Sequence, residues 1–357
     1  MMKKLINIDE LDKILKFVAP GTELRKGLDN ILDAGTGGLI VIGGDQETLK
    51  IADGGFLINC DYTPQRVYEL AKMDGAIIID KDITKIISAN VQLQPSAETE
   101  TKESGTRHRT AERVAKQTGN LVIAVSQRRK IITLYKGSIR FKVRNSTDVM
   151  GEANQAVKTL ERYRSVLEKT LNNLTIMEFD DLVTLYEAVV AIQRFEMLFR
   201  VGEEVKKCIL ELGNEGRLIK MQMDELLKNA EEEMIDLIFD YYNSKSEFIL
   251  DEMLFKLRNL TQEELLEIEN ICEILGYGKD YNAFDDKIIP KGYRLLAKNF
   301  KLTRRDIENI IDTFSDFNNI MEASVEELAE VKGIQKFKSK SIKNGLNRLK
   351  ITVLLER

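Results

Sequence analysis

The sequence predicts an α/β N-terminal domain with a mixed sheet flanked by helices, followed by an all-α helical spine and a small all-α C-terminal domain. Three observations predict it. Through residue 147, apolar runs of strand length alternate with helix-length stripes of 3.6-residue spacing. From Gly151 onward proline is absent until Pro290, and the apolar residues fall into heptad-like patterns. From residue 286 the periodic segments shorten and carry turn and capping residues. The domains expected are 1–147, 148–285 and 286–357.

Taken in order, residues 8–18 place Ile8, Leu11, Ile14, Leu15 and Val18 on one helical face. Pro20-Gly21 turns the chain into a second helix, Glu23 to Ala34. Leu39-Ile40-Val41-Ile42 is a strand closed by Gly43-Gly44, and Gly55 to Ile58 is a short strand. Thr63-Pro64 reads as an N-cap and an N1 proline, opening a helix that ends at Lys72–Gly75. Ala76–Ile79 is a buried strand, and Lys85–Ala89 alternates like another that continues to Leu93. Polar residues 94–104 form a loop before a helix capped by Thr106 or Ser104 and stopped by Gly119. Leu121–Val125 is a central strand, and Lys130–Tyr135 with Ile139–Val143 completes a hairpin. In the spine, Ala156 to Leu167 mark one helix, Leu174 through Leu212 a second, and Arg217 to Tyr242 a third beyond the Gly213–Gly216 break. Ser324 and Glu327 form a capping box, and Ser324 to Ile334 reads as helix, hairpin, helix.

Composition removes several function classes. The formal charge of −5 argues against a chain that is basic throughout. Cys60, Cys208 and Cys272 are too far apart for a zinc site or a disulfide framework, which suits a reducing cytoplasm. No apolar run reaches the ~20 residues of a membrane span. Met1-Met2-Lys3-Lys4-Leu5-Ile6 is followed at once by Asn7, Asp9, Glu10 and Asp12, so no signal peptide is expected. His108 is the only histidine, which removes HExxH metalloproteases, His-triad hydrolases and most zinc enzymes. Gly35-Thr36-Gly37-Gly38 is glycine-rich but lacks the lysine and spacing of a Walker loop.

Two stretches put charge where a helix disfavours it. Arg107 and Arg109 fall in the first turn of their helix, at its positive end. The placement makes sense if free N–H groups and guanidinium forks meet one phosphate chain. Asp74 falls at the negative end of the Pro64 helix, where a carboxylate suits a metal ion. A cationic cradle with a carboxylate–metal site is the equipment of phosphoryl or nucleotidyl transfer.

Asp74-Gly75-Ala76 and Arg107-His108-Arg109 resemble the two signature motifs of the diadenylate cyclase domain. The flanks resemble it too, in Ala19–Thr22 with Leu24-Arg25, in Asp53–Phe56, in Tyr68–Met73 and in Thr110 through Gly119. Nearly the whole chain is similar to the DNA integrity scanning family, strongly over about residues 10–135 and more weakly afterwards; in that family the domain is joined to a C-terminal DNA-binding domain. The resemblance implies a cytoplasmic, nucleoid-associated octamer. Its reaction joins two ATP into cyclic di-3′,5′-AMP with loss of two pyrophosphates, and branched DNA damps it. Asp74 would ligate Mg²⁺ or Mn²⁺, and Gly75 and Ala76 would line the ATP site. Thr106, Arg107, His108, Arg109 and Thr110 would hold the phosphates, and Leu93 would pack on adenine. Ser126, at a strand end where α/β sites gather, joins the set; the same position also suits a plain turn. Arg128 and Arg129 read equally well as hairpin charges and stay outside it.

Lys332 to Lys350 holds seven basic residues and no acid, a local patch hidden by the overall charge. It resembles the helix-hairpin-helix motif, which offers backbone N–H groups to DNA phosphates regardless of sequence. Lys332, Gly333, Ile334, Gln335, Lys336, Lys338 and Lys340 are the expected DNA contacts. Gln335 stands where the motif has a second glycine, so either a strained positive φ there or a phosphate held further off is expected. Two other readings stand beside the enzyme. One is a catalytically silent sensor of nucleotide or DNA junctions; the other is a basic tail for protein contacts.

Overall fold

The computed structural model describes residues 8–243, 249–279, 284 and 287–355, with side-chain surroundings from Lys13 onward. The side chains of Ile8 and Leu11 of the first expected stripe, and the expected boundary at residues 285 and 286, lie outside what is described. The chain forms two units, Met1–Gln155 with Val205–Met221, and Ala156–Glu204 with Gln222–Arg357.

The first unit runs α1 (Ile8–Val18), α2 (Glu23–Asp33), β1 (Gly38–Ile42), α3 (Gln46–Lys50), β2 (Ala52–Asp53), β3 (Phe56–Asp61) and α4 (Pro64–Leu70). It continues with β4 (Ala76–Ile79), β5 (Lys85–Leu93), α5 (Thr106–Thr118), β6 (Leu121–Ser126), β7 (Ile131–Lys136) and β8 (Ile139–Val143). The sheet order is β2-β5-β4-β1-β6-β7-β8, with β3 also on β5. β1 and β4 are parallel, β1 and β6 antiparallel, so the sheet is mixed as the sequence predicts. Side chains alternate between two cores. Ile40, Ile42, Ile77, Ile79 and Ile123 face α1, α2 and α4 through Leu15, Leu28 and Val67. Val41, Ile78, Val122 and Ala124 face α5 through Ala111, Val114 and Ala115. Burial on both faces is what makes these strands read as continuous apolar runs.

Two elements went unanticipated. Gln46–Lys50 is a single polar turn, started by Asp45, whose side chain accepts from the Thr48 N–H at 3.0 Å. Ala52–Asp53 pairs with Leu93 and Gln92.

The helical part departs from the expected breaks. α6 (Ser146–Asp180) is continuous through Leu174, and the break falls at Asp181, which takes φ 59° before α7 (Leu185–Leu212). The expected third helix is two, α8 (Arg217–Leu226) and α9 (Ala230–Tyr241), split where Asn229 takes φ 57°. Asp and Asn enter the left-handed region more readily than most residues, so neither break needed glycine or proline. α10 (Leu250–Asn259), α11 (Gln262–Leu266), α12 (Ile268–Ile274), α13 (Tyr293–Asn299), α14 (Arg304–Phe314), α15 (Phe317–Glu322), α16 (Val325–Glu330) and α17 (Lys336–Leu355) follow.

A buried polar cluster ties the second unit together. Asp240 accepts from the N–H groups of Gly292 (2.7 Å), Tyr293 (2.6 Å) and Arg294 (3.0 Å), capping α13 from α9. Arg294 pairs with Glu178 of α6, which also accepts from the Tyr241 hydroxyl at 2.6 Å. Burial, with the nearby Glu178 charge, pushes the Asp240 carboxyl up to about 7.

Candidate active site

Strand register gathers the site at one end of the sheet. Ile40 pairs with Ile77, and Gly38 with Val125, so the starts of β1 and β4 meet the end of β6. Ala76 pairs with Val91, which brings the end of β5 to the same edge. Asp74-Gly75-Ala76, Leu93, Gly37 and Ser126 therefore share that edge. At ~4.8 Å per strand, the β4 and β6 ends lie roughly 10 Å apart across β1.

α5 begins at this edge with Gly105 as its N-cap, and no side chain caps it. The expected Thr106 or Ser104 cap does not form. The first-turn N–H groups thus keep no side-chain acceptor, and the helix dipole is left without a counter-charge. Charged residues further along α5 hold the preceding loop. Arg113 donates to the carbonyls of Thr99 (2.9 Å) and Ala97 (3.1 Å), and Lys116 to that of Glu100 (2.8 Å). Glu112 accepts from the Thr101 hydroxyl at 2.6 Å. These bonds deliver Glu103 to the mouth of the site.

Arg107 folds across Gly37. A Cβ at Gly37 would stand 1.9 Å from its Nη1 and 2.6 Å from its Cζ, so the guanidinium can lie there only over a glycine. His108 meets Tyr135 edge-on, with Nδ1 2.9 Å from the phenol oxygen. Tyr135 donates onward to Glu103 at 2.8 Å, and Glu103 pairs with Arg140 at 2.5 Å. An open cavity of about 500 Å³ is lined by Thr106, Arg107, His108 and Ser126, and by Arg128, Arg129, Arg140 and Lys142. Burial pushes the His108 imidazole below its usual value; Glu103 opposes this, while Arg140, Arg107 and Arg129 reinforce it. Such a cavity is built to hold a polyanion.

Asp74 is exposed in the turn after α4. That helix ends at Leu70 with Ala71 as its C-cap, so the carboxylate sits in the turn beyond the terminus rather than in the last helical turn. Gly75 is needed for packing. An added Cβ would lie 2.3 Å from the Asn90 carbonyl carbon, and its N–H donates to Asn90 Oδ1 at 3.2 Å. Ala76 and Leu93 are buried at 2% and 8% exposure, within the sheet core that faces α5. Asp74, Gly75, Ala76, Leu93, Arg109 and Thr110 do not line the cavity that holds Arg107 and His108. Among the described residues no group of three or more His, Cys, Asp or Glu could hold a metal ion.

In the second unit, the Ser324 capping box forms, with Glu327 N–H to Ser324 Oγ at 3.2 Å and Ser324 N–H to Glu327 Oε2 at 2.7 Å. α16 and α17 join through Gly333 at φ 87°, the hairpin glycine. Gln335 does not take a positive φ, so the expected strain is absent; its carbonyl accepts from Ser339 N–H at 3.0 Å as α17 begins. Lys332, Gln335, Lys336 and Lys340 are exposed. Ile334 is core at 3% exposure, and Lys338 is bound to Asp306 at 2.8 Å. Lys343, from the same basic stretch, donates to the Met321 carbonyl at 2.7 Å.

Sequence reasoning missed Gly37, Tyr135, Glu103 and Arg140. The glycine run at 35–38 was a visible signal, set aside for lacking a Walker lysine. A tyrosine in a buried strand announces only core.

Fold and cavity define an α/β anion-binding domain with a cationic helix terminus, joined to a helical region. The family model described as DisA bacterial checkpoint controller nucleotide-binding matches residues 25–139, and that of the DisA bacterial checkpoint controller linker region matches residues 143–284. The chain is 49% identical over 348 residues to the DNA integrity scanning protein DisA of Clostridium botulinum (strain Loch Maree / Type A3), covering 98% of each. It is 48% identical over 349 residues to that of Fusobacterium nucleatum subsp. nucleatum, covering 98% of this chain and 99% of the relative. It is 50% identical over 347 residues to that of Clostridium beijerinckii, covering 97% of each. The chain belongs to the DisA family, and residues 25–139 form its nucleotide-binding domain. No described helix is long and apolar enough to cross a membrane.

Proposed function

We propose that the chain is a diadenylate cyclase, condensing two ATP into cyclic di-3′,5′-AMP and two pyrophosphates. The observation that carries this reading is the uncapped α5 terminus, with Arg107 and His108 fixed beside it, on the sheet edge that also bears Asp74. Each 3′-hydroxyl attacks the α-phosphate of the other ATP, so the reaction is two-fold symmetric and two facing subunits suit it. The open cavity and the exposed Asp74 support a site completed by a second copy; the octamer is what the family resemblance implies. Arg107, His108, Arg109 and the α5 amides hold the triphosphate and offset charge on the α-phosphoryl group and departing pyrophosphate. Thr106, Thr110 and Ser126 add hydroxyl contacts, while Leu93, Ala76 and Gly75 shape the adenine side. One exposed carboxylate suits Mg²⁺ or Mn²⁺ arriving with the nucleotide, because Mg²⁺ is commonly held by one or two carboxylates, waters and phosphates. Asp74 would hold that ion, which would supply a lowered pKa for the attacking hydroxyl.

The helix pair α16–α17 is the proposed DNA contact, through Lys332, Lys336, Lys340 and the Gly333 hairpin, with branched or damaged DNA down-regulating the cyclase. The relatives' name supports this part, as does the exposure of those lysines. The test incubates the full chain with ATP and Mg²⁺ or Mn²⁺, with and without a four-way DNA junction, and separates the nucleotides. Cyclic di-AMP that falls with junction is expected. No product from an assembled oligomer with either metal would leave the silent sensor in its place.

A further inference from the structure

We infer that Glu103, Tyr135 and His108 form a positioning relay that holds the imidazole as its Nδ1–H form. Nε2 is thereby left for the cavity, where it takes up a proton when a polyphosphate binds. The proton-uptake half rests on the phosphate-holding role proposed for this cavity; the relay half does not.

Tyr135 has one hydroxyl proton, and it goes to Glu103 Oε1 at 2.8 Å. Glu103, paired with Arg140, offers acceptors only. Toward His108 the phenol therefore presents a lone pair, and the 2.9 Å contact requires the proton on Nδ1. Tyr135 is 1% exposed on β7, so the sheet fixes its oxygen. Burial and Glu103 raise its pKa, which keeps the phenol protonated.

A neutral ring with Nδ1–H carries a lone pair on Nε2, a poor match for phosphate oxygen. The groups facing the ring are Glu103 on the loop, Tyr135 on β7, Arg140 on β8, Arg129 after β6 and Arg107 on α5 itself. In the free protein the three arginines disfavour a charged imidazole. A triphosphate reverses that field, so Nε2 gains a proton and becomes a donor to phosphate, while Nδ1–H stays on Tyr135 in both states. Per subunit, one proton enters from solvent on binding and returns on release; no covalent bond is made or broken. Affinity for the nucleotide must then fall as pH rises between the free and bound titration midpoints.

His108 is the only histidine among 357 residues, so deuterium exchange at imidazole Cε1, read by mass spectrometry on the full untagged chain, reports its titration alone. The measurement compares wild type, Tyr135→Phe and Glu103→Gln, each free and saturated with 3′-deoxy-ATP, which lacks the attacking hydroxyl. In wild type the nucleotide should raise the midpoint by about one unit or more. In both variants the free midpoint should fall, because the charged ring loses its acceptor or the acceptor's negative partner, and KM for ATP should rise. Equal free midpoints in wild type and both variants would overturn the relay, and that comparison needs no nucleotide. Saturation without a shift would overturn proton uptake while leaving nucleotide binding intact. Failure of 3′-deoxy-ATP to bind would overturn proton uptake along with the phosphate reading, and the free-protein comparison still decides the relay.

Discussion

Replacing Gly37 by alanine isolates one contact at the site. The new Cβ would fall 1.9 Å from Arg107 Nη1 and within 2.9 Å of Nη2, with the guanidinium as its three nearest neighbours. The backbone accepts alanine, since Gly37 is not among the residues at positive φ. What must move is the end of a flexible side chain, so stability should change little while Arg107 leaves its place. A hydrogen bond to a charged group contributes about 1.5–3 kcal/mol. Losing one such bond at the transition state corresponds to a fall of roughly 10- to 150-fold in kcat/KM. Gly38→Ala is the matched control, because its Cβ would meet Ile31 at 3.6 Å and 3.7 Å and Ala71 at 3.8 Å, ordinary contacts. The assay measures cyclic di-AMP formation and melting temperature for both variants, and for Gly37→Ala in an Arg107→Ala background. In that background the methyl group has nothing to displace and should cost nothing further. The displacement of Arg107 fails as the cause if Gly37→Ala keeps activity within about twofold of wild type. It also fails if the loss tracks a fall in melting temperature, or if it persists undiminished without Arg107.

Asp74→Asn should abolish product while leaving the assembly unchanged in size-exclusion chromatography; normal turnover would discard the metal role. Lys332→Glu with Lys336→Glu and Lys340→Glu should remove junction binding and flatten its salt dependence, while circular dichroism stays native. Gln335→Gly should leave DNA affinity within about twofold in a binding titration, since Gln335 has no positive φ to relieve. Glu178→Leu would leave Arg294 buried and unpaired, costing about 3–5 kcal/mol in chemical denaturation. With the Asp240 carboxyl raised to about 7, from roughly 4 when unfolded, its stabilising share is full below pH ~4 and lost as pH rises through about 7. The urea midpoint of the second unit should fall from pH 5 to pH 8, and a rise would contradict the assignment.

What could be read from the sequence divides along a physical line. β1, β4 and β6 were legible because both faces are buried, which writes them as unbroken apolar runs. α3 was not, because one polar turn held by Asp45 has no periodicity to display. The break at Asp181 was hidden because an aspartate, not a glycine or proline, takes the left-handed turn. At the site, Arg107 and Asp74 stood out as charges in odd places; α5 does carry Arg107 in its first turn, while α4 ends before Asp74. The partners of those residues stayed invisible. Tyr135 follows His108 by 27 positions and Glu103 by 32, and the β6–β7 pairing with α5 packed on both strands brings the three together. Gly37 meets Arg107 because β1 lies between β4 and β6. The same three residues Arg-His-Arg at the start of another helix would lack both the glycine floor and the phenol. The chemistry of the motif therefore belongs to the sheet order as much as to the motif. For that reason Gly37→Ala and Tyr135→Phe, which change neither signature stretch, should impair the site.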